Sequence, residues 1–338
     1  MSKVADELVL PDAPPIPGLR FRRYRGPEEH PAMARVYGAA HEADGLEDVP
    51  SLEQCNLNYS TLVNCDPQRD MVLVEVDGEL VGYARVFWTD QVDGSRSYEN
   101  FGFIDPAWRR RGLGTALHRR NEERLREIAA GHPEIQAKWL SSEGMETAVG
   151  NAALLARSGY APVRYFYEMV APALEGITAP PMPEGIDVRP ASTEHFRSIW
   201  DASAEAFRDH WGEPEVTEKD WERFRDNPEH VERPFWVIGW DGEEVAGVVT
   251  TTVPAEENRE RGRKRVWVES VSVRRRWRRR GLAKALLARS LVAAREAGFT
   301  SAGLGVDAEN PTGALGLYES LGFAPERTGI AYRKPLEP

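Results

Sequence analysis

A six-residue phrase that occurs twice constrains this chain more than any other feature of its sequence. Trp-Arg-Arg-Arg-Gly-Leu stands at residues 108–113 and again at residues 277–282. Each copy follows a short run of β-type residues, 98–104 or 266–273, and leads into an Ala/Leu-rich segment of helical spacing. A basic-glycine turn between a strand and a helix directs backbone N–H groups outward at the positive end of the helix, where phosphate oxygens bind. The pattern predicts a duplicated phosphate-binding unit.

The similarity between the two halves extends beyond the phrase and predicts two domains. Each half contains an Asp-Gly turn between two β-rich runs, at Asp77 and at Asp241, which is a strong hairpin signal. We therefore divide the chain into a flexible leader over 1–18, an N-terminal domain over 19–170, a proline-rich linker over 171–185 and a C-terminal domain over 186–338. Each domain is predicted to be α+β, with a mixed, mostly antiparallel sheet flanked by helices.

Composition sets the class of protein and its expected partners. The 338 residues are 41% hydrophobic and 29% charged, which is typical of a soluble globular protein. Cys55 and Cys65 are the only cysteines, so a reduced cytoplasm is expected, and no metal site is predicted. The net charge of −11 argues against a nucleic-acid partner, and no apolar stretch reaches membrane-spanning length. The oligomeric state is not predicted.

The second half resembles the GCN5-related N-acetyltransferase (GNAT) family at two motifs. Residues 278–283, Arg-Arg-Arg-Gly-Leu-Ala, match the acyl-CoA signature Gln/Arg-x-x-Gly-x-Gly/Ala of that family. Residues 310–323, Asn-Pro-Thr-Gly-Ala-Leu-Gly-Leu-Tyr-Glu-Ser-Leu-Gly-Phe, match its second signature. The first half keeps only the first motif, at residues 109–114. The resemblance covers 186–334 well and 19–170 more weakly, and it implies two tandem GNAT-type domains that use acetyl-CoA as a cosubstrate.

The resemblance implies a coenzyme-binding surface around each turn. Amides at a helix N-terminus can bind a pyrophosphate, and Gly281 lets the backbone approach it closely. In the family the strand before the turn pairs with the pantetheine arm, and the N–H of Val271 is the candidate for polarising the thioester carbonyl. The expected coenzyme contacts are Val271, Val273, Arg278, Arg279, Arg280, Gly281, Leu282, Ala283, Lys284 and Asn310, with Arg109, Arg111, Gly112 and Gly114 in the first half. The alternative is a helix start beside a solvated arginine run.

Two residues carry the implied chemistry. Glu269 stands where many family members place a general base for the acceptor ammonium, and Tyr318 stands where the family has a general acid for the departing thiolate. The alternatives are a strand carboxylate paired with an arginine, and a tyrosine packed on an amphipathic helix. Asn310 followed by proline also fits a helix N-cap. Strand alternation places Trp267, Glu269, Val271 and Val273 on one face.

The sequence contains fewer indications of how the acceptor is bound. The helix and loop that cover it in this family correspond to residues 205–211, where Asp209 and His210 lie between aromatic residues and are candidates for binding an amine. They fit a helix C-terminus equally well. The acceptor is expected to be a primary amine of a small molecule or peptide. The tandem layout also resembles the mycothiol synthases, which implies a cysteinyl sugar conjugate as an alternative acceptor. A non-catalytic acyl-CoA sensor or scaffold is a third alternative.

The first half is predicted to have lost its catalytic groups. Alignment of the two turns puts Asn100 opposite Glu269, and alternation then places the neighbouring Glu99 on the other face of the strand. Alignment of the terminal Gly-aromatic pairs puts Leu155 opposite Tyr318 and Thr147 opposite Asn310. The sequence therefore predicts a catalytic C-terminal domain and a degenerate N-terminal domain. With no cysteine in the second half, direct attack of the amine on the thioester is expected.

Overall fold

The computed structural model describes residues 6–46, 51–133, 137–230, 233–310 and 312–337. They form two compact units. The first unit is drawn from Met1–Val163 and Ile330–Pro338, and the second is Arg164–Gly329. The end of the chain thus belongs to the first unit, and the residues of the predicted linker over 171–185 lie in the second. No helix in the described ranges has the length and apolar character needed to cross a membrane.

The first unit is a mostly antiparallel sheet with helices, as predicted. Its strands are β1 (Glu7–Leu8), β2 (Leu19–Arg22), β3 (Met71–Val76), β4 (Glu79–Asp90), β5 (Arg96–Ile104) and β6 (Lys138–Met145), which adjoin in that order. Residues 330–335 of the last strand of the chain, β13 (Ala324–Pro335), lie beside β6. Its helices are α1 (His30–Ala43), α2 (Leu52–Ser60), α3 (Pro67–Asp70), α4 (Leu113–Ala130) and α5 (Val149–Arg157).

The second unit repeats this plan. Its strands are residues 164–171 of β7 (Ala161–Ala171), then β8 (Asp187–Arg189), β9 (Val237–Asp241), β10 (Glu244–Thr252), β11 (Arg265–Val273) and β12 (Ser301–Asp307). Their order in the sheet is β7-β12-β11-β10-β9-β8. Its helices are α6 (Phe196–Phe207), α7 (Glu218–Arg225), α8 (Ala255–Arg261), α9 (Leu282–Glu296) and α10 (Ala314–Glu319). Both predicted Asp-Gly hairpins are confirmed, as β3–β4 and β9–β10.

One parallel strand pair in each unit separates before its strands end. β11 pairs with β12 only up to Val268, and β5 pairs with β6 only up to Glu99, although all four strands continue. The helix that follows the phrase, α9 or α4, makes the crossover between the two parallel strands. Past the point of separation, the edge of β11 no longer pairs with its parallel neighbour, so its backbone groups are available to a ligand. In β5 the first carbonyl past this point, that of Asn100, accepts a hydrogen bond from Ser142 at 2.9 Å.

The segment predicted as a flexible leader differs from expectation over its described part, residues 6–18. β1 pairs antiparallel with β2, and Leu10 is only 5% exposed, in a core that includes Leu113 and Leu117 of α4. Asp12 forms an ion pair with Arg119 at 2.6 Å. Its prolines gave the segment a loop composition, but its spaced apolar residues bury against α4 and hold it in place.

Candidate active site

The repeated phrase folds into the same turn in both units. Arg279 and Gly281 have φ of +61° and +81°, and their counterparts Arg110 and Gly112 have φ of +64° and +93°. Each glycine is the N-cap, so α9 begins at once with Leu282. The first amides of a helix lack intrahelical acceptors and carry its positive dipole end. The turn thus has the backbone conformation that the sequence predicted for a phosphate site, and its binding of phosphate stays a prediction.

The first arginine of the second-unit motif lies inside the protein rather than at the ligand surface. Arg278 donates from Nε to the carbonyl of Val273 at 2.9 Å and from Nη2 to the carbonyl of Ala206 at 2.9 Å. Its Nη1 donates to Asp209 at 2.6 Å, and Arg275 binds the same carboxylate. Arg278 thus ties the turn to the end of β11 and to the last turn of α6.

The first unit contains the same anchor. Arg109 donates to the carbonyl of Ile104 at 3.2 Å, to Asp44 at 2.6 Å and to the carbonyl of Ala40 at 2.9 Å. Asp44 therefore plays in the first unit the part that Asp209 plays in the second. Sequence comparison did not identify this pair, since each aspartate lies more than sixty residues before its arginine.

The other predicted contacts of the second-unit turn lie around its surface. Arg279 and Arg280 are exposed, and Arg280 donates from Nη2 to the carbonyl of Glu184 at 2.9 Å. Ala283 and Lys284 are half-buried in the first turn of α9, whereas Leu282 is 2% exposed and packs into the core. These positions leave the backbone and the second and third arginines as the ligand-facing part of the motif.

The two turns differ in the space above their glycines. A Cβ placed on Gly281 meets no atom within 4 Å. A Cβ placed on Gly112 lies 3.3 Å from Cβ of Pro14, which belongs to the segment packed along α4. Arg111 stacks over Trp108, with its guanidinium carbon 4.6 Å from the ring centroid, and Gly114 is the second residue of α4. The second-unit turn is therefore more open than the first-unit turn.

A β-bulge in β11 decides which way Glu269 points. Thr250 pairs with Ser270 but the next residue, Thr251, pairs with Val268, so Glu269 is the extra residue of the bulge. Thr251 hydrogen-bonds Ser290 of α9 at 2.9 Å, which places Thr251 on the α9 side of the sheet. Its neighbour Thr252 lies on the opposite side and donates to Glu269 at 2.9 Å. The carboxylate of Glu269 therefore emerges on the side of α6.

The bulge changes the prediction that Trp267, Glu269, Val271 and Val273 share one face. Val271 and Val273 pack with Val266 and Val268 against the core beneath α9, and a Cβ on Gly247 would lie 3.1 Å from Val273. One extra residue reverses the alternation of side chains along a strand. The valine side chains thus face the core, and only the backbone of Val271 and Val273 is left for the predicted coenzyme contact.

The first unit differs from the second at this position of the sheet. β4 and β5 pair without a bulge. Asn100 faces α4, where His118 contacts it at 3.2 Å, and it donates to Tyr160 at 3.2 Å. Glu99 therefore lies on the α1 side, which corresponds to the α6 side of the second unit. The prediction that Glu99 occupies the wrong face is incorrect, because the alignment took no account of the bulge.

Glu99 has an unusual environment for a carboxyl group. Burial raises its pKa to about 7, although a hydrogen bond from Ser97 opposes the shift. Ser97 is thus the counterpart of the hydroxyl that Thr252 offers to Glu269. The first unit has retained a carboxyl group at the point where its parallel strands separate.

Tyr318 lies on α10 as predicted and is 7% exposed, with its ring 6.1 Å from that of Phe323. Burial raises the pKa of its phenol to about 12. The hydroxyl therefore stays protonated at neutral pH, as a proton donor must. The equivalent position of the first unit holds Leu155, which is 1% exposed and has no proton to donate.

Asn310 does not cap α10, which differs from the expected helix N-cap. The N-cap of α10 is Gly313, at φ +77°. The side-chain oxygen of Asn310 accepts from the backbone N–H of Thr312 at 2.8 Å and so closes a turn one step before the helix. Thr147 precedes α5 (Val149–Arg157) in the corresponding place of the first unit.

Asp209 and His210, the two residues predicted to bind the acceptor, have different surroundings in the structure. The carboxylate of Asp209 is held by Arg275 and Arg278, whose hydrogen bonds keep its pKa well below the usual range. His210 stacks edge-on against Phe207 at 4.6 Å between ring centroids, and burial lowers its pKa. Glu213 lies three residues further on, and burial raises its pKa to about 7. Glu213 could not be identified from the sequence, because nothing in its spacing indicates burial.

The environment of Asp209 generates a prediction about the turn. Asp209→Asn removes the charge that pairs with Arg275 and Arg278. We expect the amides of residues 278–284 to exchange with solvent about tenfold faster, with little change in the KM for the acceptor. Hydrogen–deuterium exchange measures the first quantity. Asp44→Asn is the matched control, since it should loosen only the first-unit turn. Unchanged exchange with a raised acceptor KM would instead support the acceptor role.

The chain was compared with known proteins. A model of the acetyltransferase (GNAT) family matches residues 33–140 and 196–323. A mycothiol acetyltransferase of Geodermatophilus obscurus is 28% identical over 309 residues, which are 90% of this chain and 93% of the relative. A mycothiol acetyltransferase of Streptomyces avermitilis is 31% identical over 267 residues, 78% and 79% of the two chains. The crystal structure of a GCN5-related N-acetyltransferase from Sphaerobacter thermophilus superposes with a TM-score of 0.69 at 28% identity, over 98% of each chain.

The two matched regions take up more than half of the chain, and each contains one copy of the basic-glycine turn. The relatives match across both halves rather than across one of them. The chain therefore belongs to the GNAT family of acetyltransferases and is an N-acetyltransferase with two tandem GNAT units that uses acetyl-CoA.

Proposed function

We propose that the second unit is the catalytic one and transfers an acetyl group from acetyl-CoA to a primary amine of a small molecule or peptide. The observation that carries this proposal is the place of Glu269, whose carboxylate emerges beside the hydroxyl of Thr252 where β11 leaves β12. The same unit supplies Tyr318 as a buried, protonated phenol and a turn with open space over Gly281.

Acetyl-CoA binding is assigned to the turn and to the free edge of β11. The pyrophosphate is held by the amides at the start of α9, with Arg279, Arg280 and Lys284 providing positive charge. The pantetheine arm pairs with the backbone of Val271 and Val273 beyond the point of strand separation. Arg278 does not contact the coenzyme but holds the turn in place through its hydrogen bonds. Asn310 holds the turn before α10 through its hydrogen bond with Thr312.

The reaction requires one proton acceptor and one proton donor. Glu269 takes a proton from the acceptor ammonium, and the neutral amine attacks the thioester carbonyl carbon. The N–H of Val271 stabilises the oxyanion that develops on the carbonyl oxygen. As the carbon–sulfur bond breaks, Tyr318 donates its proton to the departing sulfur. The nitrogen loses its second proton to solvent as the intermediate collapses, and the new amide and free coenzyme A leave. Glu269 then releases its proton to solvent and Tyr318 regains one, so the net reaction releases one proton.

A cysteinyl sugar conjugate is the second candidate acceptor. It is favoured by the similarity to mycothiol acetyltransferases, which covers 90% of this chain and 93% of one relative. His210 and Glu213 are the side chains of the second unit that we assign to acceptor binding, since burial perturbs both pKa values and neither is held in an ion pair among the described residues. Asp209 is assigned to the turn.

The first unit is proposed to bind coenzyme weakly or to serve as a scaffold. Its turn has the right backbone conformation at Arg109, Arg111, Gly112 and Gly114, but Pro14 lies against Gly112. It retains Glu99, yet it has Leu155 where a proton donor is required. A unit of this kind can hold a ligand without completing acetyl transfer.

Glu269→Gln tests the proton acceptor. We expect kcat/KM at pH 7 to fall about 100-fold, since general base catalysis typically contributes about 10²–10⁴-fold. The deficit should shrink as the pH rises towards the pKa of the acceptor amine, because the amine then loses its proton to solvent. Glu296→Gln, on α9, is the control and should match the native profile. A deficit that stays constant with pH would contradict the base role.

Tyr318→Phe tests the proton donor. The native enzyme should show no loss of kcat up to about pH 10 from this group, because its pKa is raised to about 12 and the phenol stays protonated below that value. We expect the variant to lose about 100-fold in kcat with little change in KM for acetyl-CoA. Tyr167→Phe, a partly buried tyrosine of the same unit, is the control. Equal kcat for Tyr318→Phe and the native chain would refute the acid role.

A matched pair of glycine substitutions locates the catalytic unit. Gly281→Glu and Gly112→Glu each place a side chain and a negative charge at a left-handed position of a phosphate turn. Gly281→Glu should abolish acetyl transfer, whereas Gly112→Glu should keep kcat within about twofold. Circular dichroism checks that both variants fold. The reverse pattern would place catalysis in the first unit.

A further inference from the structure

The first unit contains an arginine that faces a cage of aromatic rings. Arg85 lies on β4 between Ala84 and Val86, which both pack in cores shared with α4, so Arg85 points to the opposite side of the sheet. Its guanidinium carbon lies 4.8 Å from the ring centroid of Phe101, 5.3 Å from that of Tyr59 and 5.5 Å from that of Phe87. The rings come from β4, β5 and α2.

This guanidinium has no anionic partner in the described part of the chain. The structure gives Arg85 neither a hydrogen bond nor an ion pair within those residues, and its Nε is buried without an acceptor. Other arginines of the same unit are paired: Arg22 with Glu29 at 2.7 Å and Arg124 with Asp70 at 2.8 Å. A buried donor without a partner costs free energy, so such a group calls for a ligand or another explanation.

A carboxyl group on the same face of the sheet does not pair with Arg85. Glu99 stands opposite Phe87 in the β4–β5 pair, and its carboxyl accepts from Ser97. Arg85 stands opposite Phe101, which is two residues further along β5 and on the same face of the sheet. Arg85 and Glu99 thus lie on the same face of the sheet without forming an ion pair.

The position of Arg85 corresponds to the acceptor side of the second unit. Gly82 of β4 and Gly247 of β10 occupy equivalent places, each opposite the last residue of the next strand, so Arg85 is the counterpart of Thr250. In the second unit this level is lined by hydroxyl groups, Thr250 and Ser270, beside Glu269. The first unit has a guanidinium among rings at the same level.

We propose that Arg85 and its aromatic cage form a second ligand site, for a small organic carboxylate. The planar guanidinium presents paired N–H donors that match a carboxylate in two parallel hydrogen bonds. The rings of Tyr59, Phe87 and Phe101 provide an apolar surface for the body of the ligand. A single positive charge, close to Glu99, fits a monoanion rather than a phosphate dianion. The site is separate from the proposed catalytic groups and goes beyond the proposed function.

Calorimetric titration of the full chain with benzoate tests the site. We expect saturable binding, and we expect Arg85→Gln to weaken it at least tenfold while acetyl-CoA binding and acetyl transfer persist. Arg20→Gln, which changes an exposed arginine of the same unit, is the matched control and should bind benzoate as the native chain does. Benzamide, the neutral analogue, should bind at least tenfold more weakly than benzoate.

A stability measurement separates a ligand site from a purely structural arginine. Arg85→Met removes an unpaired guanidinium from an apolar cage, so without ligand we expect its Tm to equal or exceed the native value. Benzoate should raise the Tm of the native chain and not that of the variant. Absence of benzoate binding in the folded native chain would overturn the proposal, as would unchanged binding in Arg85→Gln or stronger binding of inorganic phosphate than of benzoate. A lower Tm for Arg85→Met without any benzoate effect would assign Arg85 a structural role.

Discussion

The site depends on the parallel pairing of β11 with β12, which ends at Val268 while both strands continue. This separation leaves one edge of β11 without its neighbour, and the basic-glycine turn leads from the end of β11 to the start of the crossover helix α9. A ligand that spans the strand edge and the helix start can therefore meet unpaired backbone groups at both of its ends. Arg278 keeps these two surfaces in register, because it binds both the last carbonyl of β11 and the end of α6.

The duplicated chain retains this scaffold in both units and varies the side chains placed on it. The anchor Arg109–Asp44 repeats Arg278–Asp209, and the left-handed conformation recurs at the second arginine and the glycine of each turn. Backbone geometry of this kind is costly for a non-glycine residue and persists where the surrounding structure fixes it. The differences between the units lie instead in single side chains, such as Leu155 opposite Tyr318, and in the segment that packs over Gly112.

Local features of the sequence predicted the local features of the fold. The Asp-Gly turns predicted both hairpins, and the basic-glycine phrase predicted both helix starts, because each depends on a few neighbouring residues. Long-range features were out of reach: nothing near Asp209 in the sequence indicates its pairing with Arg278. The bulge at Glu269 adds one unpaired residue without any change in composition, so alternation alone placed Glu99 and the valines of β11 on the wrong faces.

That single bulge also shows how one scaffold can present different chemistry. In β11 the extra residue turns a carboxylate towards α6 beside hydroxyl groups, a polar surface suited to an ammonium. In β5, which has no bulge, Glu99 reaches the equivalent face by ordinary alternation, but its neighbours on that face are aromatic and Arg85 stands among them. The carboxyl is kept in both units, and the charge and polarity of the groups around it differ. Around this carboxyl, the two units thus differ in one bulge and in the side chains of two adjacent strands.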